Sequence, residues 1–241
     1  MDEQTFQDAV QNLQADHRVA DTNNGILRGS FIRTVNFHST PAVNRDRYEK
    51  QLAFFSRYYS PVTVADIDQY LDTGHWHKDK PGLILAIFEG FRNHFDVIHP
   101  LLEKYNLTGW FHIPAFFPDV PVPEQHTFAD ANQLHITHEE EYPDGRFAMN
   151  WNEIRAVSKN HVLCCHSGTH FRIQLDTPEE DMRREIVDSR RHLEKMTGQE
   201  CTVFCWLYGE EYSYNPRAAV FIQEAGYRYV IGNLKMERVA N

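Results

Sequence analysis

His166 and His170, in the run Cys165-His166-Ser167-Gly168-Thr169-His170, carry the plainest chemical signal in the chain. Neutral imidazole is a good ligand for zinc and related cations, and a spacing of four can turn two rings toward one ion. Spacing alone says little. With 14 histidines in 241 residues, chance supplies about 0.8 such pairs. Position says more, because the pair directly follows Val162-Leu163-Cys164-Cys165, an apolar run that reads as a buried strand. Glu89 follows a similar run, 82–87 and Phe88. A carboxylate that close to a buried strand needs a partner, since burying it unpaired is costly. A metal ion is one such partner; exposure just past the strand end is the alternative. His38 ends a third strand-like run and is a candidate for proton transfer, against the plainer role of a hydrogen-bonded structural histidine. His135 and His138 with Glu139, Glu140 and Glu141 read as a solvated charge cluster on a polar loop. Phe116, Phe117, Tyr142, Phe147 and Trp151 offer aromatic faces for a sugar, or for the core.

To position these groups the chain alternates strands and helices. Residues 31–37 read as a strand, and Tyr48, Leu52, Phe55 and Tyr59 mark an amphipathic helix. Thr63 with Asp66 starts a second helix that Gly74 stops. The apolar run 82–87 is a strand buried on both faces. Phe95, Ile98, Leu102 and Tyr105 mark another helix, which Pro100 should kink or delay. A strand at 110–113 leads into a long loop, 114–149. A helix opens near Asn150, and 161–165 is a strand. Thr177-Pro178-Glu179-Glu180 spells a helix start, with Thr177 as N-cap and Glu180 closing a capping box. A strand at 201–208, a helix at 216–225 ended by Gly226, and a last strand at 227–231 complete the pattern.

This alternation implies a parallel sheet covered by helices. Polar residues gather at the predicted strand ends: His38, Glu89, His166 and Glu210. A βα barrel keeps its chemistry on that face, and an open doubly wound sheet would do much the same. The first residues are polar and interrupted by Asn23-Asn24-Gly25, so 1–29 is expected to be an arm and 30–241 one domain.

The bulk numbers exclude several classes of function. Hydrophobic residues make up 41% and charged residues 24%, an ordinary globular mixture. A formal charge of -10 argues against a nucleic-acid or anionic-membrane surface. No run approaches the roughly 18 apolar residues of a membrane helix. Met1 to Phe6 is acidic and unlike a signal peptide, and the four cysteines lack zinc-ribbon spacing, so a cytoplasmic protein with reduced thiols is expected, the alternative being a secreted protein whose signal has been trimmed. Cys164 and Cys165 look strand-buried, which disfavours a thiolate nucleophile.

Taken in order, these segments resemble the NodB-homology polysaccharide deacetylase family, also called carbohydrate esterase family four. Asn160 to Phe171 is similar to the family's Gly-His-Glu-Ile-Gly-Ser-His-Thr-x-x-His-Pro segment. Leu85-Ala86-Ile87-Phe88-Glu89-Gly90-Phe91 falls where the family has Leu-Thr-Phe-Asp-Asp-Gly-Tyr. Phe204-Cys205-Trp206-Leu207-Tyr208-Gly209 stands in place of Phe-Arg-x-Pro-Tyr-Gly. Phe37-His38 resembles the opening strand of the circularly permuted branch.

The resemblance implies a distorted (β/α) barrel of the polysaccharide deacetylase type and a divalent metal, usually zinc, held by Glu89, His166 and His170. It implies His38 as proton donor to the leaving amine, Glu89 and Tyr208 in the catalytic set, and the backbone N–H of Tyr208 at the oxyanion. Tyr208 and Trp151 are expected to meet a carbohydrate or small amide substrate. Two departures bear on activity. Phe88 replaces the family's general base, and Cys205 replaces the arginine that orients it. Losing both together is self-consistent, since a buried guanidinium would otherwise lack its partner. The expectation is therefore a divergent metal-dependent hydrolase of non-peptide amide bonds. The alternative is an inactive relative that keeps the fold for binding or structure.

Overall fold

The computed structural model describes residues 31–208, 215–232 and 235–240, so the expected arm at 1–29 and Glu210 lie outside the described residues. Eight strands form one sheet: β1 (Ile32–Phe37), β2 (Ser60–Pro61), β3 (Gly82–Phe88), β4 (Gly109–Ile113), β5 (Val162–Cys165), β6 (Val203–Cys205), β7 (Tyr229–Ile231) and β8 (Met236–Arg238). Their order is β1-β3-β4-β5-β6-β7-β8, with β2 paired to β3. Every pairing is parallel except that of β7 with β8. The helices are α1 (Arg45–Tyr58), α2 (Val64–Thr73), α3 (His99–Lys104), α4 (Gln125–Ala131), α5 (Trp151–Val157), α6 (Glu179–Met182), α7 (Ser189–Thr197) and α8 (Ala218–Ala225).

Alternation along each strand sorts side chains between two layers. Leu83, Leu85, Ile87, Phe111, Ile113, Leu163, Cys165 and Phe204 pack outward in the large core with the helices. Ile84, Trp110, Cys164, Val203 and Tyr229 point inward and join Val62 and Ile67 in a smaller core. Parallel strands buried on both faces account for the unbroken apolar run in β3. The result is a sheet curled into a half-barrel, a (β/α) barrel that among the described residues does not close between β1 and β8. α2 ties to the far side of that gap: Asp68 accepts from Arg228 and from the Tyr229 hydroxyl, and Asp72 accepts from Arg238. α2 itself is fixed by the expected capping box of Thr63 and Asp66 and by left-handed Gly74 at its end.

Several local expectations need correction. The stretch 114–149 is no simple loop, since it holds α4 and a row of short turns. Before Pro100 the chain makes a wide π turn, His94–Ile98, which relieves the clash between the proline ring and the carbonyl four residues back. Thr177 is not an N-cap: its hydroxyl accepts from the Gln174 N–H, and Pro178 caps α6 without a side-chain bond. The strand expected at 201–208 ends at Cys205, and β8 follows the strand expected to be last.

Candidate active site

β1, β3 and β5 each deliver one candidate group past their C-terminal ends. His38, Glu89, His166, His170 and Tyr208 all line one cavity of about 810 Å³. Trp151 does not line it. Its Nε1 donates to Asp119 Oδ1 at 2.7 Å, and its ring meets His192 edge-on, so it serves the outer layer.

Backbone strain concentrates here. Glu89 (φ 84°), Gln133 (58°), His170 (64°) and Tyr208 (53°) line the cavity in the left-handed region, and Ser167 (59°), next to His166, adopts it too. Non-glycine residues adopt that region at a cost of about 1–2 kcal/mol each, and such strain clusters at functional sites.

The two histidines are held in one tautomer. His166 Nδ1 lies 3.1 Å from the Cys205 carbonyl, and His170 Nδ1 lies 2.7 Å from the Asn132 carbonyl. A carbonyl only accepts, so each Nδ1 carries the proton and each Nε2 keeps its lone pair. That is the form in which histidine binds a metal. Burial pushes both pKa values below the ordinary histidine range, with repulsion from His170 and His112 adding to the effect at His166. The rings sit 4.9 Å apart at 70°.

A carboxylate that sequence reasoning missed organises their loop. Buried Glu185 accepts from Gly168 N–H at 2.7 Å and Thr169 N–H at 2.8 Å through Oε2, and from the Thr169 hydroxyl at 3.1 Å through Oε1. Arg184 pairs with it from the surface side. Its one sequence signal is an acid on the apolar stripe of Met182, Ile186 and Leu193. Gly168 admits nothing larger: a Cβ there would lie 2.4 Å from Phe116 Cε2.

Glu89 Oε1 accepts from His38 Nδ1 at 2.8 Å, and Glu89 Oε2 is buried with no partner among the described residues. That hydrogen bond is the main cause raising the His38 pKa, against partial burial, with the charge of Glu89 adding to it. The His38 carbonyl in turn accepts from His94 Nε2 at 2.7 Å. Phe88 occupies the centre of a ring stack, 5.3 Å from His38 and 4.4 Å from His112. His112 was also missed. It is fully buried on β4, both of its ring nitrogens lack partners among the described residues, and burial lowers its pKa to about 3.

A match to the polysaccharide deacetylase family profile covers residues 78–230, well over half the chain. The chain belongs to the polysaccharide deacetylase family. Solved structures agree on the fold. IcaB from Ammonifex degensii matches with a TM-score of 0.59 and 16% identity, covering 84% of this chain and 83% of that one. The deacetylase PplD of Streptococcus pyogenes, solved with acetate, gives 0.58 and 12%, covering 82% and 79%. A de-N-acetylase from Aggregatibacter actinomycetemcomitans gives 0.56 and 15%, covering 88% and 91%. No curated protein matches the sequence significantly. Among the described residues, no helix is long and apolar enough to cross a membrane.

Among the described residues, the one trio of possible ligand atoms lying within 4.8 Å of one another is His99, Glu103 and His161, away from this cavity. His161 Nε2 is 3.2 Å and His99 Nε2 3.9 Å from Glu103 Oε1. The Gly109 N–H, however, donates to His161 Nδ1. A neutral His161 therefore carries its proton on Nε2, the nitrogen that faces the trio, which opposes metal binding there. Glu89, His166 and His170 line one cavity without being gathered so tightly, because Glu89 is drawn to His38. All four cysteines are free and buried, and burial pushes Cys165 up to about 11, the wrong direction for a nucleophile.

Proposed function

We propose that this family member is a divergent hydrolase of carbon–nitrogen bonds in N-acylated sugars or related small amides, with a divalent cation, zinc by preference, at Glu89, His166 and His170. The observation that carries the reading is the pair of histidines whose Nδ1 atoms are pinned to main-chain carbonyls. Glu89 fits the same set, since its buried Oε2 lacks a partner among the described residues. When bound, such a cation supplies Lewis acidity that polarises an amide carbonyl and acidifies water.

The chain's own residues do the rest. His38, its pKa raised by Glu89, is protonated over more of the neutral range and donates a proton to the departing amine. Tyr208, whose hydroxyl donates to Gln133 Oε1 at 2.7 Å, borders the mouth of the cavity where its main chain would face the oxyanion. Phe88 cannot accept a proton, so while His38 is the protonated donor, deprotonating water falls to Glu89 or a loop acid. Losing a dedicated base lowers turnover by about 10²–10⁴-fold.

The test is metal analysis of purified protein together with release of carboxylate from N-acylated glucosamine. Stoichiometric zinc and slow turnover that vanishes in His166→Ala are expected. Protein that holds no metal, or a His166→Ala variant that hydrolyses unchanged, refutes the reading. The Phe88 ring stack favours one rival, a retired enzyme that binds and does not cleave. Activity found only after combining Phe88→Asp with Cys205→Arg would support that rival.

A further inference from the structure

The cavity extends much deeper than the reacting groups. From His38, Glu89 and His166 it runs inward beside the open seam to Ile32, Ile84 and the inner face of α2. The unclosed sheet is the cause. Among the described residues β1 pairs only with β3, and Thr34 and Asn36 on it are exposed. On β3, Ala86 stands between Phe88 and Ile84 on the same face and leaves the middle of the slot unfilled. Ile231 and Met236 form the opposite wall, and Ile67 and Leu71 form the floor. Phe88 to Ile84 spans about 13 Å and His38 to Ile32 about 20 Å at the usual rise per strand residue.

An acetyl methyl would reach no farther than Phe88. Gln133, His135 and Tyr208 follow the reacting groups toward the outer end, while Thr34, Asn36, Tyr70 and Lys235 interrupt the otherwise apolar lining of the rest. A substrate that fits both ends has its amide at the histidines, a hydroxylated amine part outward and an aliphatic chain inward. Resting on the hydrolase reading above, we propose that the slot binds the chain of a medium-length N-acyl group, so that the preferred substrates are N-acyl amino sugars with acyl chains longer than acetyl. In the reaction water adds its oxygen to the acyl carbon, the C–N bond breaks, and the amine leaves with a proton. A fatty acid and a free amino sugar are the products.

Each methylene moved from water into an apolar slot strengthens binding about fourfold. Four methylenes, from butanoyl to octanoyl, therefore give on the order of 100-fold. The experiment is calorimetric titration of the full chain with N-acetyl-, N-butanoyl- and N-octanoylglucosamine and with decanoate, alongside hydrolysis of the same sugars. Rising affinity along the series and binding of decanoate are expected. Ala86→Leu, which fills the middle of the slot, should lower the octanoyl-to-acetyl affinity ratio tenfold or more. Leu71→Glu does the same from a residue that is already 49% exposed, so it leaves folding intact. Affinity that is flat with chain length, or a chain-length gain that survives both substitutions, overturns the slot. Acetyl hydrolysis with no chain-length dependence removes the slot and spares the hydrolase. Octanoyl binding lost in both variants, with no sugar hydrolysed, supports the slot and removes the hydrolase.

Discussion

Removing the Glu185 side chain tests whether the histidine loop is built by one buried acid. Glu185→Ala strands the Gly168 N–H in a buried position and the Thr169 N–H in a half-buried one, and it releases the Thr169 hydroxyl. Hydrogen bonds to a charged acceptor contribute about 1.5–3 kcal/mol each, and a buried donor left unpaired costs about 1–3. The two N–H groups share one oxygen, so their effects overlap and the total is about 3–5 kcal/mol. For a chain of this length that lowers the melting temperature by on the order of 10 °C. Glu185→Gln keeps an oxygen for both N–H groups but loses the charge and the Oε1 acceptor that Arg184 and the Thr169 hydroxyl use, so about 1–2 kcal/mol is expected. Denaturant unfolding measures both. Competition with a zinc chelator measures a second consequence, because His170 follows the loop directly and mispositioned supporting groups weaken metal binding about 10–100-fold. A Glu185→Ala variant within about 0.5 kcal/mol of the parent would refute the idea that this acid shapes the loop.

Two further outcomes are expected. Gly168→Ala should destabilise by at least about 1–3 kcal/mol, because its methyl would overlap Phe116; adding Phe116→Leu should restore part of the loss in the same unfolding assay. Stability should also fall as pH drops from about 6.5 toward 4, partly through His161, whose pKa burial lowers to about 4, with His99 adding repulsion and Glu103 opposing it. A depressed pKa means that the unfolded chain takes the proton first, so the stabilisation is whole above pH 6.5 and gone by pH 4. At about 1.4 kcal/mol per unit this is up to about 3 kcal/mol. His161→Gln should flatten that slope in unfolding curves taken at pH 4.5 and 7, and an unchanged slope would show that His161 is not its source.

What was legible in the sequence was what periodicity and strand ends encode. The stripe of Leu52 and Phe55 became the buried face of α1, and the run at 82–87 became β3 with both faces covered. His38, Glu89 and His166 were found because each ends a strand-like run, and His170 by its spacing from His166; the half-barrel brings those ends together. What escaped depends on contacts that no local pattern records. Thr177 had the right neighbours for a cap, yet its hydroxyl bonds back to Gln174. Trp151 had the right chemistry for a sugar platform, yet Asp119 and His192 engage it elsewhere. Glu185 and His112 act through partners 16 to 24 residues away, or through neighbouring strands, and their sequence context shows neither.

Phe88, one of the two departures that the resemblance implies, forms a unit with His112. An aspartate at position 88 would place a carboxylate against the buried His112 imidazole, whose own pKa is lowered to about 3, with His38 as a charged neighbour but no guanidinium to share it while Cys205 stands where the resemblance puts arginine. Phenylalanine removes that charge and stacks on His112 at 4.4 Å and 13°, giving a flat, apolar partner to a ring that has no hydrogen bond of its own among the described residues. Phe88→Asp alone therefore half-buries a carboxylate without a guanidinium partner, while Cys205→Arg alone buries a guanidinium without that carboxylate. Each single change should be less stable than the double change by more than additivity allows. Unfolding free energies for Phe88→Asp, Cys205→Arg and their combination measure the coupling directly. A favourable interaction of about 1–3 kcal/mol in the double variant shows that positions 88 and 205 form one electrostatic pair. Simple additivity would mean that base and arginine were lost independently, and the ring stack would then be packing without a history in charge.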